Sequence, residues 1–185
     1  IVLFGPPGAG KGTQAKHLVK KIDGFQISTG EMLRNEIYKN SKIGKEISND
    51  MKDGNFVSDK IVNKLINEII SDSKKKNRLI FDGYPRTLSQ AKDLDIFLND
   101  SGQKIDFIFF LNVNKDLIIE RIKKRKNLEN RSDDDLNTIL KRYDTYMETT
   151  KPVLEYYSKN PNFHEIDGTL EIDEITNKID AFLGV

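Results

Sequence analysis

The residues best suited to chemistry lie near the start of the chain, in the segment 5–13. It reads Gly-Pro-Pro-Gly-Ala-Gly-Lys-Gly-Thr and follows the apolar run Ile-Val-Leu-Phe at residues 1–4. Closely spaced glycines let backbone N–H groups turn inward on phosphate oxygens, and Lys11 adds a positive charge. Apolar residues then recur at helical spacing, at Ala15, Leu18, Val19 and Ile22. The segment is therefore predicted to be a phosphate-binding loop (P-loop) between a strand and a helix, and to bind a nucleoside triphosphate.

The loop departs from the general motif at one position. That motif ends in Gly-Lys-Ser/Thr with the hydroxyl on Mg²⁺, whereas here a glycine follows Lys11 and Thr13 comes one place later. Magnesium must therefore be held differently. Asp82, at the end of the run Leu-Ile-Phe-Asp, is the candidate, because a carboxylate after a strand can order a metal-bound water beside the phosphates. The alternative for Asp82 is a turn aspartate before a glycine.

Glu31 is a weaker candidate for the metal. It also completes a Ser-x-x-Glu capping box with Ser28, and that structural role is the more ordinary one for such a pair.

Arginines form the second set of chemical candidates. Arg86 follows a Gly-Tyr-Pro turn after Asp82, and its forked guanidinium suits a phosphate. The others are Arg34, Arg121, Arg125, Arg131 and Arg142. Each alone is typical of an ordinary surface residue, but their placement after predicted strand ends and beside loops indicates a polyanion site.

Composition excludes several classes of protein. The 185 residues suffice for one well-buried core, and a net charge of +1 with interspersed signs argues against a nucleic-acid partner. No run approaches the ~20 apolar residues of a membrane span, so we expect a cytoplasmic protein. There is no cysteine, and His17 and His164 lie far apart in sequence, so no zinc site is expected. Because the chain begins inside a strand, we expect one or two residues to precede Ile1.

The order of apolar patterns predicts an α/β fold with a parallel sheet. Strands are predicted at residues 1–4, 26–28, 79–81, 105–111 and 163–166, each followed by a helix-length segment. Residues 29–65 carry two or three helical patterns without a strand, which predicts an inserted lobe at about 28–57. Residues 126–131 read as a polar loop within a short lid at about 125–135. The chain, 1–185, is otherwise one domain.

Over essentially its whole length, the chain resembles the adenylate kinases with a short lid, within the nucleoside monophosphate kinase family. The matching segments, in family order, are 5–13, 28–34, 54–59, 82–87 with Gln90, 120–125, 130–134, Arg142 and 167–169. The resemblance implies reversible transfer of the γ-phosphoryl group of ATP to AMP, giving two ADP, by a monomer that uses Mg²⁺ bound to ATP. It also implies a P-loop five-stranded sheet flanked by helices, with an inserted helical lobe for the monophosphate.

The resemblance further assigns residues to each nucleotide. For ATP they are Gly8, Ala9, Gly10, Lys11, Gly12, Thr13, Arg121, Arg125 and Leu170. For AMP they are Thr29, Arg34, Asn55, Phe56, Val57, Gly83, Tyr84, Pro85, Arg86, Gln90, Arg131 and Arg142. The catalytic cations are Lys11, Arg86, Arg121, Arg125, Arg131 and Arg142. Asp82 would hold magnesium through water.

Two positions depart from the family pattern. Asn130 stands where the family usually has glycine, before the lid arginine. The resemblance therefore does not determine the backbone conformation of that loop. Leu170 stands where lysine is common, so we expect only a backbone contact to adenine there.

Competing interpretations remain at this stage. Thr87-Leu-Ser-Gln90 is also a capping box, so Gln90 either caps a helix or reads adenine. A UMP/CMP kinase is the nearest alternative, although alanine and asparagine are usual there in place of Thr29 and Gln90. From another class, a nucleotide-dependent switch or assembly ATPase would use the same loop. The guanine motif Asn-Lys-x-Asp is not matched, because Asp116 follows Asn114-Lys115 one place too early. A non-catalytic binding module would not need six arginines.

Overall fold

Five parallel strands form the centre of the protein, in the order β2-β3-β1-β4-β5. The computed structural model describes residues 1–72, 78–129 and 136–184, with the backbone alone for 125–129 and 136. The strands are β1 Val2–Phe4, β2 Phe25–Ser28, β3 Leu79–Asp82, β4 Ile108–Asn112 and β5 Phe163–Asp167. The predicted α/β class and parallel sheet are confirmed.

Helices follow the strands and cover both faces of the sheet. They are α1 Lys11–Ile22, α2 Thr29–Tyr38, α3 Lys42–Lys52, α4 Asp59–Ser71, α5 Leu88–Asp100, α6 Lys115–Glu129, α7 Leu136–Thr149, α8 Lys151–Tyr157 and α9 Ile172–Leu183. None of the helices in the described ranges is both long and apolar enough to cross a membrane.

The central strands contribute side chains to two separate cores. Val2 and Phe4 of β1 pack in one core, with α2, α3, α4, α5 and α8. Leu3, between them, packs on the opposite face with α1, α6, α7 and α9. Because successive side chains of a strand point to opposite faces, a strand covered on both sides reads as a continuous apolar run. This is why the central strands β1, β3 and β4 could be predicted from sequence.

Two predicted boundaries are wrong by three residues or more, and the others differ by one residue or less at the ends of the strands. β4 was expected from residue 105 but begins at Ile108, since its neighbours begin there: Val2 of β1 and Phe163 of β5 both pair with Ile108. Residues 126–129, expected in a loop, belong to α6, which continues to Glu129. No glycine or proline occurs between Lys115 and that point to end the helix.

Three helices lie in the described part of the interval between β2 and β3, where two or three helical patterns were predicted without a strand. The first two, α2 and α3, pack closely together at Gly44 of α3. A Cβ atom there would lie 2.0 Å from the carbonyl oxygen of Glu36 in α2. The helices themselves are confirmed, while their role as a separate lobe at 28–57 stays a prediction.

Candidate functional site

The phosphate-loop segment joins the carboxyl end of β1 to the start of α1, as the sequence predicted. Gly10 precedes the first residue of α1, Lys11, and has a φ of 97°. Gly8 has a φ of 84°, and a Cβ atom there would lie 2.9 Å from Cγ1 of Ile122. Positive φ is easily adopted only by glycine, so the backbone of this loop depends on these residues. The N-terminus of α1 lies directly after this loop, and a helix N-terminus favours bound anions.

Lys11 is held close to this loop. Its Nζ donates hydrogen bonds to the carbonyl oxygens of Gly5 at 2.8 Å and Pro6 at 2.9 Å. The ammonium is thereby positioned over the loop that the sequence assigned to phosphates.

Asp82 lies at the end of β3, beside the start of α1. A Cβ atom on Gly12 would be 3.4 Å from its Oδ2. Gln26 of β2 donates a hydrogen bond from Nε2 to the same oxygen at 3.0 Å. Gln26 was not among the predicted site residues, and the parallel pairing of β2 with β3 is what brings it to Asp82.

The capping box predicted for Ser28 and Glu31 is absent from α2. The Ser28 side chain makes no capping hydrogen bond, because Ser28 is the last residue of β2 and its backbone pairs with Asp82. Glu31 is exposed and borders the main cleft. The more ordinary role expected for Glu31 is therefore wrong.

A cleft of about 470 Å³ opens between the phosphate loop, α2, α6 and α7. Among the described residues, the charged side chains that line it are the cations Lys11, Lys16, Arg34, Arg86, Arg121, Lys124 and Arg142 and the anions Glu31 and Asp82. Seven positive groups therefore face two negative ones in a chain with a net charge of only +1. Such a concentration of one sign favours a polyanionic ligand.

A smaller cavity of about 60 Å³ continues from this cleft, bordered by Arg86 and Arg142 in common with it. Its other lining residues include Phe56, Pro85 and Tyr146. The Arg86 guanidinium lies 5.3 Å from the centre of the Phe56 ring, a cation–π contact, and its Nε donates to the carbonyl oxygen of Gly83 at 2.7 Å. Arg86 is thus oriented at the junction of the two cavities.

Thr29 is buried and only 3% exposed. Its Oγ1 donates to the carbonyl oxygen of Gly83 at 2.8 Å. The contact places Thr29 beneath the turn that precedes Arg86.

Gln90 is also buried, at 2% exposure, and both ends of its side-chain amide are bonded. Nε2 donates to Oδ1 of Asp59 at 2.7 Å, and Oε1 accepts from the backbone N–H of Arg86 at 2.8 Å. Half of the predicted capping box is present, since the backbone N–H of Gln90 donates to Oγ1 of Thr87 at 3.1 Å. The side chain of Gln90 bonds to Arg86 rather than to Thr87, so it does not complete the box.

The structure brings most of the predicted cleft residues together. The predicted residues that border the main cleft are Gly8, Ala9, Gly10, Lys11, Gly12, Thr13, Arg34, Asp82, Gly83, Arg86, Arg121 and Arg142. Those that border neither cavity are Thr29, Asn55, Val57, Tyr84, Gln90 and Leu170. The side chain of Arg125, all of Arg131 and the lid segment 130–135 lie outside the described residues.

Other cleft residues were not predicted. Gln14 of α1 is 2% exposed, and its side chain bonds to the Ile172 carbonyl oxygen and to Thr176 Oγ1 at 3.3 and 3.0 Å. These bonds tie α1 to α9, whose Ile175 also borders the cleft. A glutamine beside the apolar Ala15 was the available signal for this contact.

Two buried tyrosines near the site differ in their partners. The hydroxyl of Tyr84 donates to Oδ1 of Asn63 at 2.7 Å. Burial, followed by the nearby carboxylates of Asp93 and Asp59, raises the pKa of Tyr84 well above its ordinary value, so it remains a donor. The hydroxyl of Tyr146 is buried with no hydrogen-bond partner among the described residues.

No group of three or more His, Asp and Glu side chains that could hold a metal ion occurs within 1–72, 78–129 and 136–184. His17 bonds to Asp180 of α9 at 2.9 Å, and His164 stacks on Phe182 with ring centres 4.0 Å apart. Neither histidine borders the cleft.

Comparison with known proteins gives the family. The profile of the family described as "Adenylate kinase" matches residues 3–162. The chain belongs to the adenylate kinase family. It is therefore an α/β phosphotransferase of the nucleoside monophosphate kinase group, as the resemblance implied.

Individual adenylate kinases align with the chain from end to end. The one from Pelagibacter ubique is 46% identical over 211 aligned positions, covering 100% of this chain and 99% of the relative. The one from Caulobacter sp. strain K31 is 40% identical over 185 positions, covering 100% and 98%. The one from Mycoplasma capricolum is 38% identical over 213 positions, covering 100% and 99%. Some relatives thus align with this chain over 185 positions, whereas for others the alignment extends over 211 or 213 positions, with additional residues in the relative.

Proposed function

We propose that the protein transfers the γ-phosphoryl group of ATP to AMP, reversibly, to give two ADP. The observation that carries the proposal is the cleft lined by seven cations and two anions around a phosphate loop. A reaction between two polyanions needs such a site, because phosphoryl transfer is catalysed mainly by positioning and by electrostatic stabilisation. Membership of the adenylate kinase family supports the same reaction.

The ATP phosphates would lie on the phosphate loop and the start of α1. Lys11 is the group best placed to neutralise charge that develops on the transferred phosphoryl group, and Arg121 approaches from α6. The AMP phosphate would meet Arg34 and Arg86 at the other side of the cleft. Arg142 borders both cavities and can contact phosphates from either side.

The reaction requires no strong general base, because the phosphate of AMP is already ionised near neutral pH. The cleft fits this requirement: arginines and lysines line it, and both histidines are engaged elsewhere. The chain's own task is to hold two phosphate groups in line and to keep water away.

Magnesium would enter with ATP. Mg²⁺ is usually held by one or two carboxylates together with substrate phosphates and water, and Asp82, fixed by Gln26 beside the phosphate loop, fits that donor set. When bound, the ion neutralises charge on the phosphates. Thr13, the residue after Gly12 in α1, borders the same cleft.

The division into moving parts belongs to the same proposal. We assign helices α2 and α3 with the following segment, about 28–57, to the AMP lobe, and about 125–135 with Arg125 and Arg131 to a short lid. The alignment with the Caulobacter relative over 185 positions, against 211 for the longer relative, supports the lack of an additional segment in this chain. A monomeric state and a cytoplasmic location remain predictions.

A panel of acceptors tests the proposal against a UMP/CMP kinase. ADP formation from ATP-Mg should be measured with AMP, CMP, UMP and GMP as acceptors. We expect AMP to have the highest kcat/KM, because Thr29 and Gln90 support the AMP side of the cleft. A higher value for CMP or UMP would replace AMP kinase by pyrimidine nucleotide kinase as the function.

A further inference from the structure

Asp59, the first residue of α4, bonds to two side chains at the start of α5. Its Oδ2 accepts from Oγ1 of Thr87 at 2.7 Å, and its Oδ1 accepts from Nε2 of Gln90 at 2.7 Å. On the other side of the same amide, Oε1 of Gln90 accepts from the backbone N–H of Arg86 at 2.8 Å. The Gln90 amide is therefore held between an acceptor and a donor.

These two partners permit only one orientation of the amide. A carboxylate accepts hydrogen bonds and a backbone N–H donates one. Rotating the amide of Gln90 by 180° would place its oxygen against the Asp59 oxygen and its NH₂ against the Arg86 N–H. Gln90 is 2% exposed, so water has little access to relieve either mismatch.

The two bonds leave the amide with a defined capacity for a ligand. A side-chain amide has two N–H donors and two acceptor lone pairs, and the contacts with Asp59 and Arg86 use one of each. One donor and one acceptor remain, in fixed positions. The pairing edge of adenine offers a 6-amino donor beside the N1 acceptor, whereas a 6-oxopurine offers an oxygen beside an N1–H donor. A freely rotating amide would satisfy either edge, and a fixed one satisfies only one.

We propose that Asp59 is a positioning residue that determines specificity: through Gln90, it makes the site accept a 6-aminopurine monophosphate and reject a 6-oxopurine one. This inference rests on the proposed function, and it takes for Gln90 the adenine-reading role that the family resemblance implies. Asp59 itself touches no substrate.

Gln90 borders neither cavity, so on this proposal a neighbouring segment must shift before a base can reach the amide with the Asp59 contact kept. Helix α4 is joined to the core at a second point, where Asn63 accepts from the Tyr84 hydroxyl at 2.7 Å and donates to Asp93 of α5. With α4 fixed at two points, the segment that must shift to admit the base is the one before it, residues 54–58. That segment includes Phe56, which covers the Arg86 guanidinium.

The substitution Asp59→Asn tests the proposal, because asparagine keeps the size of the side chain but can present either an oxygen or an NH₂ to Gln90. The measurement is kcat/KM for AMP and for inosine monophosphate, with ATP-Mg as donor. We expect the AMP-to-IMP ratio to fall at least tenfold, with the KM for ATP unchanged. Asp93→Asn is the matched control, since it alters the same pair of helices without touching Gln90, and it should leave the ratio within about twofold.

A ratio that stays within twofold in Asp59→Asn, or that falls equally in Asp93→Asn, overturns the proposal. If the wild-type protein transfers no phosphoryl group to AMP, the proposed function itself is wrong. A folded wild-type enzyme that is active on AMP, with an unchanged ratio in the variant, removes only the role of Asp59.

If the variants do not fold, a binding measurement on the wild-type protein tests whether the Gln90 amide is fixed. Purine riboside 5′-monophosphate has hydrogen at position 6 and keeps the N1 acceptor. A fixed amide should bind this nucleotide at least fivefold more tightly than inosine monophosphate, whose oxygen and N1–H both meet the wrong partner. Tighter binding of inosine monophosphate would show that the amide rotates, and the proposal would be wrong.

Discussion

At the scale of single residues, positively charged side chains are concentrated in the cleft, although the whole chain has a net charge of only +1. Lys11 lies over the phosphate loop, and Arg86 is held at the junction of two cavities by Gly83 and Phe56. These residues are positioned by the protein before any nucleotide binds. Pre-positioned charge lowers the reorganisation needed during phosphoryl transfer.

Lys11→Met should abolish most of the turnover while the protein remains folded. Methionine fits a similar volume but supplies no charge to the transferred phosphoryl group. We expect kcat to fall more than tenfold, corresponding to more than ~1.4 kcal/mol of transition-state stabilisation. Steady-state kinetics measure the loss and thermal unfolding is the control. If a folded variant keeps more than about a tenth of the turnover, Lys11 does not act on the transition state.

Tyr146→Phe and Tyr84→Phe should have opposite effects on stability. The first removes a buried hydroxyl without a partner in the described structure, so the free energy of unfolding should stay equal or rise by about 1 kcal/mol. The second leaves Oδ1 of Asn63 without its donor and should lower that free energy by about 1–3 kcal/mol. Urea unfolding measures both. A loss above ~1 kcal/mol in Tyr146→Phe would mean that its hydroxyl has a partner after all.

At the scale of elements, features with a local sequence pattern could be predicted. Boundaries that depend on pairing between distant strands could not. The phosphate loop and the central strands β1, β3 and β4 were predictable because their signals are local: glycine spacing, and apolar runs buried on both faces. The start of β4 was not, because its length depends on β1 and β5, which pair with Ile108. The end of α6 at Glu129 was not predictable either, because a polar run such as residues 126–131 is typical of a loop and fits an exposed helix equally well.

The candidate site shows the same division. The motifs supplied Lys11, Asp82 and Arg86, which the structure brings to one cleft. The bond of Gln90 to Asp59 was not predicted, because it joins two helices and the local pattern Thr-x-x-Gln indicated only a cap. Contacts between elements require the tertiary structure, even when each residue is visible in a motif.

Gly44→Ala should disrupt the packing of α3 on α2. A Cβ atom there would lie 2.0 Å from the Glu36 carbonyl oxygen, which cannot move without shifting helix α2. We expect a loss of more than ~2 kcal/mol in stability and an increase in the KM for AMP larger than that for ATP, because Arg34 lies on α2. Unfolding and initial rates measure these effects.

Asn49→Ala, an exposed position on the same helix, is the control and should change neither value appreciably. Equal stability of Gly44→Ala and Asn49→Ala would show that the two helices can separate at little cost.

At the scale of the whole molecule, one sheet covered on both faces carries the phosphate loop, and two buried tyrosines pack in one of its two cores. Tyr84 and Tyr157 belong to the core on the face of α4, α5 and α8. Burial is the main cause that raises the pKa of Tyr84, of Tyr146 and of Tyr157 above the ordinary value. The folded protein therefore keeps protons that the unfolded chain releases.

This difference predicts a loss of stability at alkaline pH. The contribution of the three tyrosines is fully present below their unfolded pKa of about 10 and is lost as the pH rises above it. Each should lower the free energy of unfolding by about 1.4 kcal/mol per pH unit in that range. Urea unfolding at pH 9, 10 and 11 measures how steeply the free energy of unfolding falls with pH. Tyr146→Phe should make this slope smaller by the contribution of one tyrosine. An equal slope in the variant would contradict the assignment.

The central claim is that the cleft transfers a phosphoryl group to AMP and does not hydrolyse ATP as a switch or assembly ATPase would. ATP labelled on its γ-phosphorus, incubated with magnesium and AMP, tests it most directly. The account predicts that the label appears in ADP, at a rate that depends on AMP, with little inorganic phosphate. Label released mainly as inorganic phosphate, at a rate independent of AMP, would contradict it.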